Sequence, residues 1–95
     1  MGAPRQVLAA QAMDFGITIT GYLCAARFYP PVLVGTVFGD AKARFNEGTM
    51  IQTSAILKAC EAQGFLLCQT LMGSVYVVCD WAGGDQVFNA DRALH

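Results

Sequence analysis

The sequence predicts an α+β chain that is mainly antiparallel β, a small twisted sheet or partly open barrel carrying one or two short helices. Three observations predict it. Two β-rich runs, 65–72 and 75–82, flank Gly73-Ser74, and a Gly-first pair between such runs suits a two-residue hairpin loop. Upstream, short segments rich in Val, Ile, Thr and aromatics alternate with the period of two that a half-buried strand requires. Finally, 95 residues leave room for one core, so 1–95 reads as a single domain. Its parts are a leader over 1–15, helical or disordered, a β-rich core over 17–82 and a tail over 83–95.

The elements follow in order. Residues 4–13 are Ala-rich, with Pro4 at the first helical position and Gly16 beyond the end, which is the signature of one short helix. Ile17 to Leu23 alternates, with Ile17, Ile19 and Leu23 on one face and Thr18, Thr20 and Tyr22 on the other. Pro30-Pro31 interrupts, because proline cannot donate to a strand ladder. Val32 to Phe38 reads as the next strand, residues 39–48 as a polar loop, and Thr49 to Thr53 as a third strand. Residues 54–63 are ambiguous: Ser54 is a helix N-cap candidate, strong helix formers follow, and Gly64 would end the helix. In the hairpin, a Gly73-Ser74 loop sets Cys68 opposite Cys79 and Leu66 opposite Trp81. The tail, with Val87, Phe88 and Leu94, reads as a short helix or a strap.

The middle of the chain resembles a family of small, uncharacterised bacterial proteins of prophages and other mobile elements. Arg44-Phe45, Gly48-Thr49, Ile51, Thr53-Ser54, Ile56, Thr70 and Gly73-Ser74-x-Tyr76 carry the resemblance. Glu47 stands where the family usually has Asp, and the segment after Ile56 is richer in Ala. The resemblance implies no activity. It does imply a basic-aromatic turn, a strand through Thr-Ser and a hairpin closing at Gly-Ser, which tilts residues 54–60 from helix toward strand.

Composition narrows the function classes. Apolar residues make up 55% and charged residues 14%, against roughly 25% charged in an average domain. A small sphere cannot hide that many apolar side chains, so a ligand or another copy of the chain is expected to cover some. No run approaches the ~18 apolar residues of a spanning helix, and the first residues lack a secretory pattern, so a cytoplasmic setting is expected. A net charge of −1 gives no field that favours nucleic acid or an anionic membrane.

Candidate chemistry is sparse. The four cysteines, Cys24, Cys60, Cys68 and Cys79, form no C-x-x-C, and the one histidine is the terminal His95. Zinc spacing and a His-activated thiol are therefore absent, and the cysteines read as reduced, buried small hydrophobes. Seven carboxylates could supply an acid–base pair, but spacing selects none. Asp80 stands out because it lies in an apolar strand between Cys79 and Trp81. With Arg44 and Phe45 it forms the candidate polar site. Basic-aromatic clusters at Arg27-Phe28-Tyr29 and Lys42-Ala43-Arg44-Phe45 could contact phosphates and stack bases. Alignment of Arg27, Lys42 and Arg44 on one face would favour that reading.

The function these observations favour is a non-enzymatic, oligomeric protein- or ligand-binding module, an accessory of a mobile element. A homodimer or higher homo-oligomer is expected through Leu67, Leu71, Tyr76 and Val78, which share the hairpin's second face in the expected register, with the N-terminal segment as the alternative cover. A host protein or a small apolar ligand is the further partner expected. No metal or other cofactor is expected. The alternatives are a small enzyme using an Asp/Glu pair, or a weak nucleic-acid binder.

Overall fold

The computed structural model describes residues 4–82; the expected tail over 83–95 lies outside them. One helix, α1 (Arg5–Gln11), precedes six strands: β1 (Gly21–Tyr29), β2 (Val32–Phe38), β3 (Thr49–Gln52), β4 (Ile56–Ala62), β5 (Phe65–Thr70) and β6 (Val75–Val78). They form a single sheet in the order β3-β2-β1-β6-β5-β4. Two antiparallel three-stranded meanders, β1–β3 and β4–β6, meet along a parallel seam where Gly21, Tyr22 and Leu23 pair with Tyr76, Val77 and Val78. The fold is thus mostly β with one short helix. The expected class, mainly antiparallel β, holds among the described residues, and the seam is the one parallel pairing that it did not include.

The sheet is rolled but not closed. Its inner face holds Leu23, Ala26, Leu33, Val37, Cys68, Tyr76 and Val78, together with Ile51 and Ile56 from the two outermost strands. Side chains from opposite ends of the strand order share one core only if the sheet curls. The start of β4 also reaches the β1–β2 turn, because the Ile56 N–H donates to the Pro31 carbonyl at 2.7 Å. Thr53 fastens the link between them. Its hydroxyl accepts from the Leu33 N–H at 3.0 Å and donates to the Ser54 carbonyl at 2.8 Å, so this buried polar group is satisfied.

The outer face is covered by the leader. Helix α1 is short and Pro4 provides no side-chain cap, so its stability comes from packing. Val7 and Ala10, three apart on one helix face, are fully buried, and Ala10 packs with Leu67 and Val77. Two tethers hold the chain that follows. The Gln63 side-chain amide donates to the Asp14 carbonyl at 2.6 Å. Thr20 donates its N–H to the Val75 carbonyl at 2.7 Å and accepts the Val75 N–H on its hydroxyl at 3.0 Å. Phe15 meets Phe65 edge-on, with ring centroids 6.2 Å apart.

Several sequence expectations are corrected. The first strand begins at Gly21, not Ile17, and a bulge at Ala25 carries it on to Tyr29. Leu23 enters the inner core while Ile19 packs on the outer one, so the two do not share a face. Residues 56–62 are strand. Gly64 does adopt the left-handed conformation that would end a helix (φ 85°), but it follows Gln63 (φ 51°) in a two-residue loop between Ala62 and Phe65. That is the geometry of a type I′ hairpin. Pairing with β5, whose edge would otherwise be bare, outweighs helix propensity.

The hairpin lies where the sequence put it, in a different register. Leu66 pairs with Val78, Leu67 with Val77, Cys68 with Tyr76 and Gln69 with Val75. The loop is Leu71-Met72-Gly73, closed by Gly73 N–H to Thr70 C=O at 3.0 Å and Thr70 N–H to Ser74 C=O at 2.8 Å. Gly73, at φ 84°, serves as the left-handed third residue of a three-residue turn. An odd shift in register exchanges faces. Cys68 and Cys79 therefore lie on opposite sides of the sheet. Trp81 does not pair with Leu66 but bridges to Ala26, although both border the inner core. A Cβ at Gly73 would meet nothing within 4 Å, so Gly73→Ala is expected to lose about 1 kcal/mol from backbone strain alone. Urea unfolding checks this, and an unchanged midpoint would contradict the left-handed assignment.

Candidate functional site

The outer face is incompletely covered. Where the leader crosses toward β1 it leaves a groove of about 250 Å³, lined by Ile17, Lys58, Ala59, Cys60, Leu67, Gln69 and Val75. Strand pleat explains the lining. Lys58, Cys60 and Ala62 project to the same side as their partners Gln69, Leu67 and Phe65. Val75 follows as the partner of Gln69 on the next strand. Ile17 forms the opposite wall, held by the Asp14 and Thr20 tethers on either side of it.

Apolar side chains flank this groove in the open. Ile17 is 55% exposed, Leu57 56%, Leu71 63% and Met72 74%. Leu57 is the extra residue of a bulge between the Ile56 and Lys58 pairs, and a bulged residue leaves the regular alternation. Leu71 and Met72 occupy the three-residue hairpin tip, which the Leu71 N–H ties to the Ala55 carbonyl at 2.8 Å, beside Leu57. The hairpin tip follows Gln69 in β5 and the bulge precedes Lys58 in β4, so both adjoin groove residues, with β4 as an outermost strand.

The four residues expected to form a single apolar face are dispersed. Leu67 is buried at the groove floor, Tyr76 and Val78 are buried on the inner face, and Leu71 stands exposed at the tip. The cover on the hairpin's outer side is the N-terminal helix. Sequence reasoning missed Ile17, Lys58, Gln69 and Val75 as groove residues. The recoverable signal was Gln63-Gly64, a dipeptide able to take two left-handed conformations and so to make 56–62 a strand.

The candidate polar residues are dispersed too. Arg44 donates to the Tyr76 hydroxyl at 3.0 Å and to an Asp40 carboxylate oxygen at 3.4 Å, and its guanidinium lies 5.0 Å from the Phe45 ring centre. The Tyr76 bond, joined by Asp40, raises the Arg44 pKa further. Asp80 sits elsewhere, accepting the Ala25 N–H at 2.6 Å while its carbonyl accepts the Ala26 N–H at 3.1 Å. Tyr76 pairs with Gly21, so Asp80 lies some five residues further along β1, roughly 15 Å away. Arg44 and Phe45 thus form one cluster and Asp80 another.

Arg27, far along β1, is likewise separated from Lys42 and Arg44, whose loop hangs on Thr20 before the strand begins. Four described carboxylates are occupied with the backbone: Asp14 accepts from Gly16, Asp40 from Arg44 and Phe45, Glu47 from Gly39 and Asp80 from Ala25. Among the described residues no cluster of three His, Cys, Asp or Glu could hold a metal, and no helix is long and apolar enough to cross a membrane. Cys24 and Cys68 are buried and Cys79 half-buried, whereas Cys60 is exposed on the outermost strand, against the expectation that all four lie inside. Burial pushes the Cys68 thiol up to about 12. No protein-family model matches the chain, and neither a curated protein nor a solved structure is significantly similar to it.

Proposed function

We propose that this chain is a non-enzymatic binding module that self-associates through the groove and its apolar rim, an accessory protein of a mobile element. One observation carries the reading: a largely apolar groove is lined by the exposed Ile17, and the exposed Leu57, Leu71 and Met72 stand on the chain segments that adjoin it. Patches of this kind on a small protein mark interaction sites. The knobs at Leu71 and Met72 lie beside the hollow between Ile17, Lys58 and Val75. A two-fold axis lets each copy seat its tip in the other's groove, which is the self-complementarity an isologous interface needs. Lys58 is the one charge in the lining, so like-charge repulsion between copies is small. The mobile-element assignment rests on the resemblance running from Arg44-Phe45 to Gly73-Ser74-x-Tyr76.

Two observations favour a binder over the alternatives. Among the described residues, the Asp14, Asp40, Glu47 and Asp80 carboxylates accept backbone N–H groups, and the basic clusters stand apart along β1. Light scattering at tens of micromolar tests the proposal. The wild type is expected to be dimeric, Met72→Lys and Leu57→Lys monomeric, and Met50→Lys, an exposed change on β3, dimeric. A monomeric wild type would overturn self-association. If its melting point then rose with a small apolar carboxylate and Lys58→Ala removed the rise, the groove would be a ligand site instead.

A further inference from the structure

We propose that Cys24 and Cys79 are a vicinal dithiol which closes into an intramolecular disulfide, stapling the two meanders across their parallel seam. This is independent of the groove. Tyr22 and Val77 are register partners on the seam, and Leu23 and Val78 follow. The Cys79 N–H then donates to the Leu23 carbonyl at 2.8 Å, continuing the ladder by one step. Cys24 lies two residues beyond Tyr22 and Cys79 two beyond Val77, so both side chains project from the outer face. Neighbouring strands run about 4.7–4.9 Å apart, inside the Cα window of about 4.4–6.8 Å that disulfides occupy.

The surroundings suit closure. At Ala25, with φ 52°, the regular pairing stops and the Ala25 N–H turns to the Asp80 carboxylate at 2.6 Å, so the chain from Cys24 onward is tied to the residue that follows Cys79. The Cys79 thiol donates to the Val77 carbonyl at 3.8 Å, and the Asp80 carboxylate acts on Cys24 to raise its pKa. Burial holds Cys24 up to about 11 and Cys79 up to about 12, with Asp80 adding to both and Cys24 adding to Cys79. The pair therefore rests as thiols and needs a sustained oxidant. Cys68 faces the inner core, and Cys60 sits on β4, with β5 and β6 between it and the seam.

The chemistry is exchange with a small-molecule disulfide such as oxidised glutathione. Cys79, the more exposed thiol, loses its proton to solvent and attacks one glutathione sulfur, releasing one glutathione thiolate. Cys24, its proton passing to solvent, attacks the Cys79 sulfur and releases the second. Two thiols become one disulfide, and the oxidant leaves as two glutathione molecules.

The test is incubation of the whole chain with excess oxidised glutathione, followed by peptide mapping by mass spectrometry. The expected product lacks two hydrogens, carries a Cys24–Cys79 linkage, returns to starting mass with dithiothreitol, and forms equally in Cys60→Ser. Its melting midpoint is expected to rise by several degrees, because the crosslink closes a long loop. Cys24→Ser should instead retain glutathione on Cys79. A stable mixed disulfide in the wild type, a linkage through Cys60 or Cys68, no reaction, or a lowered midpoint would overturn the proposal. Mapping on the wild type needs no variant to fold.

Discussion

Leu23→Ala is expected to cost about 3–5 kcal/mol, the upper part of the range for truncating a buried leucine. Leu23 is fully buried on β1, at a position that pairs with β2 on one side and β6 on the other. Neither neighbour can move inward to fill the space without breaking pairs, so most of the cavity persists. For a chain whose whole stability is about 5–10 kcal/mol, that removes a large share. Each kcal/mol lowers the melting midpoint of a domain this size by about 4–8 °C. Leu57→Ala makes the same chemical change at a half-exposed bulge and should cost under about 0.5 kcal/mol. Urea unfolding of both variants decides, and comparable losses would refute the core assignment.

Asp40→Ala comes next, with an expected loss of about 2–3 kcal/mol, as for a carboxylate with several charge-assisted bonds. The Asp40 side chain is only 1% exposed. It accepts from the backbone N–H groups of Arg44 at 2.7 Å, Phe45 at 3.1 Å and Lys42 at 3.4 Å, and from the Arg44 guanidinium. Residues 40–45 are folded around it. Burial alone would push its pKa up, but the N–H groups and the guanidinium outweigh burial and hold it below the usual carboxylate value. A folded-state pKa below the unfolded one means the unfolded chain binds the proton more readily. The stabilisation is therefore complete above about pH 4, the unfolded aspartate value, and is lost as acid titrates the folded carboxylate. Unfolding midpoints between pH 7 and 3 should fall less steeply in Asp40→Asn than in the wild type. Identical profiles would show that the carboxylate does not hold the loop.

What the sequence disclosed tracks how local the determinant is. Val32–Phe38 and the start of β3 at Thr49 agree with the structure, because alternation bounded by prolines and a glycine-rich loop is local. Gly73 announced the hairpin but not its register. A two-residue and a three-residue turn both want a left-handed glycine, and choosing between them reverses every side chain of β6 relative to β5. That one ambiguity put Tyr76 and Val78 beside Leu67 and Leu71. Residues 56–62 were undecidable locally, since Gly64 ends a helix and closes a hairpin with the same backbone angle. The parallel seam had no local signal, because its partners are 55 residues apart, as Tyr22 and Val77 show. The groove depends on both the seam and the β4 assignment, so it was the least legible part.

The seam also shapes how the chain can fold. Each meander is built from neighbours in sequence, and such contacts close short loops at little entropic cost. The strand that begins the first meander and the strand that ends the second can pair only across a long loop, which makes the seam the costliest pairing of the sheet to close. During synthesis β1 is made long before β6 emerges. Until then its inner edge, carrying Leu23 and Tyr22, is open to whatever strand is nearest, including the same strand of a neighbouring nascent chain. Docking of the halves is the long-range, rate-setting event. Substitutions at Leu23 or Val77 should therefore slow folding, whereas those at the Gln63-Gly64 turn should mainly alter the rate of unfolding.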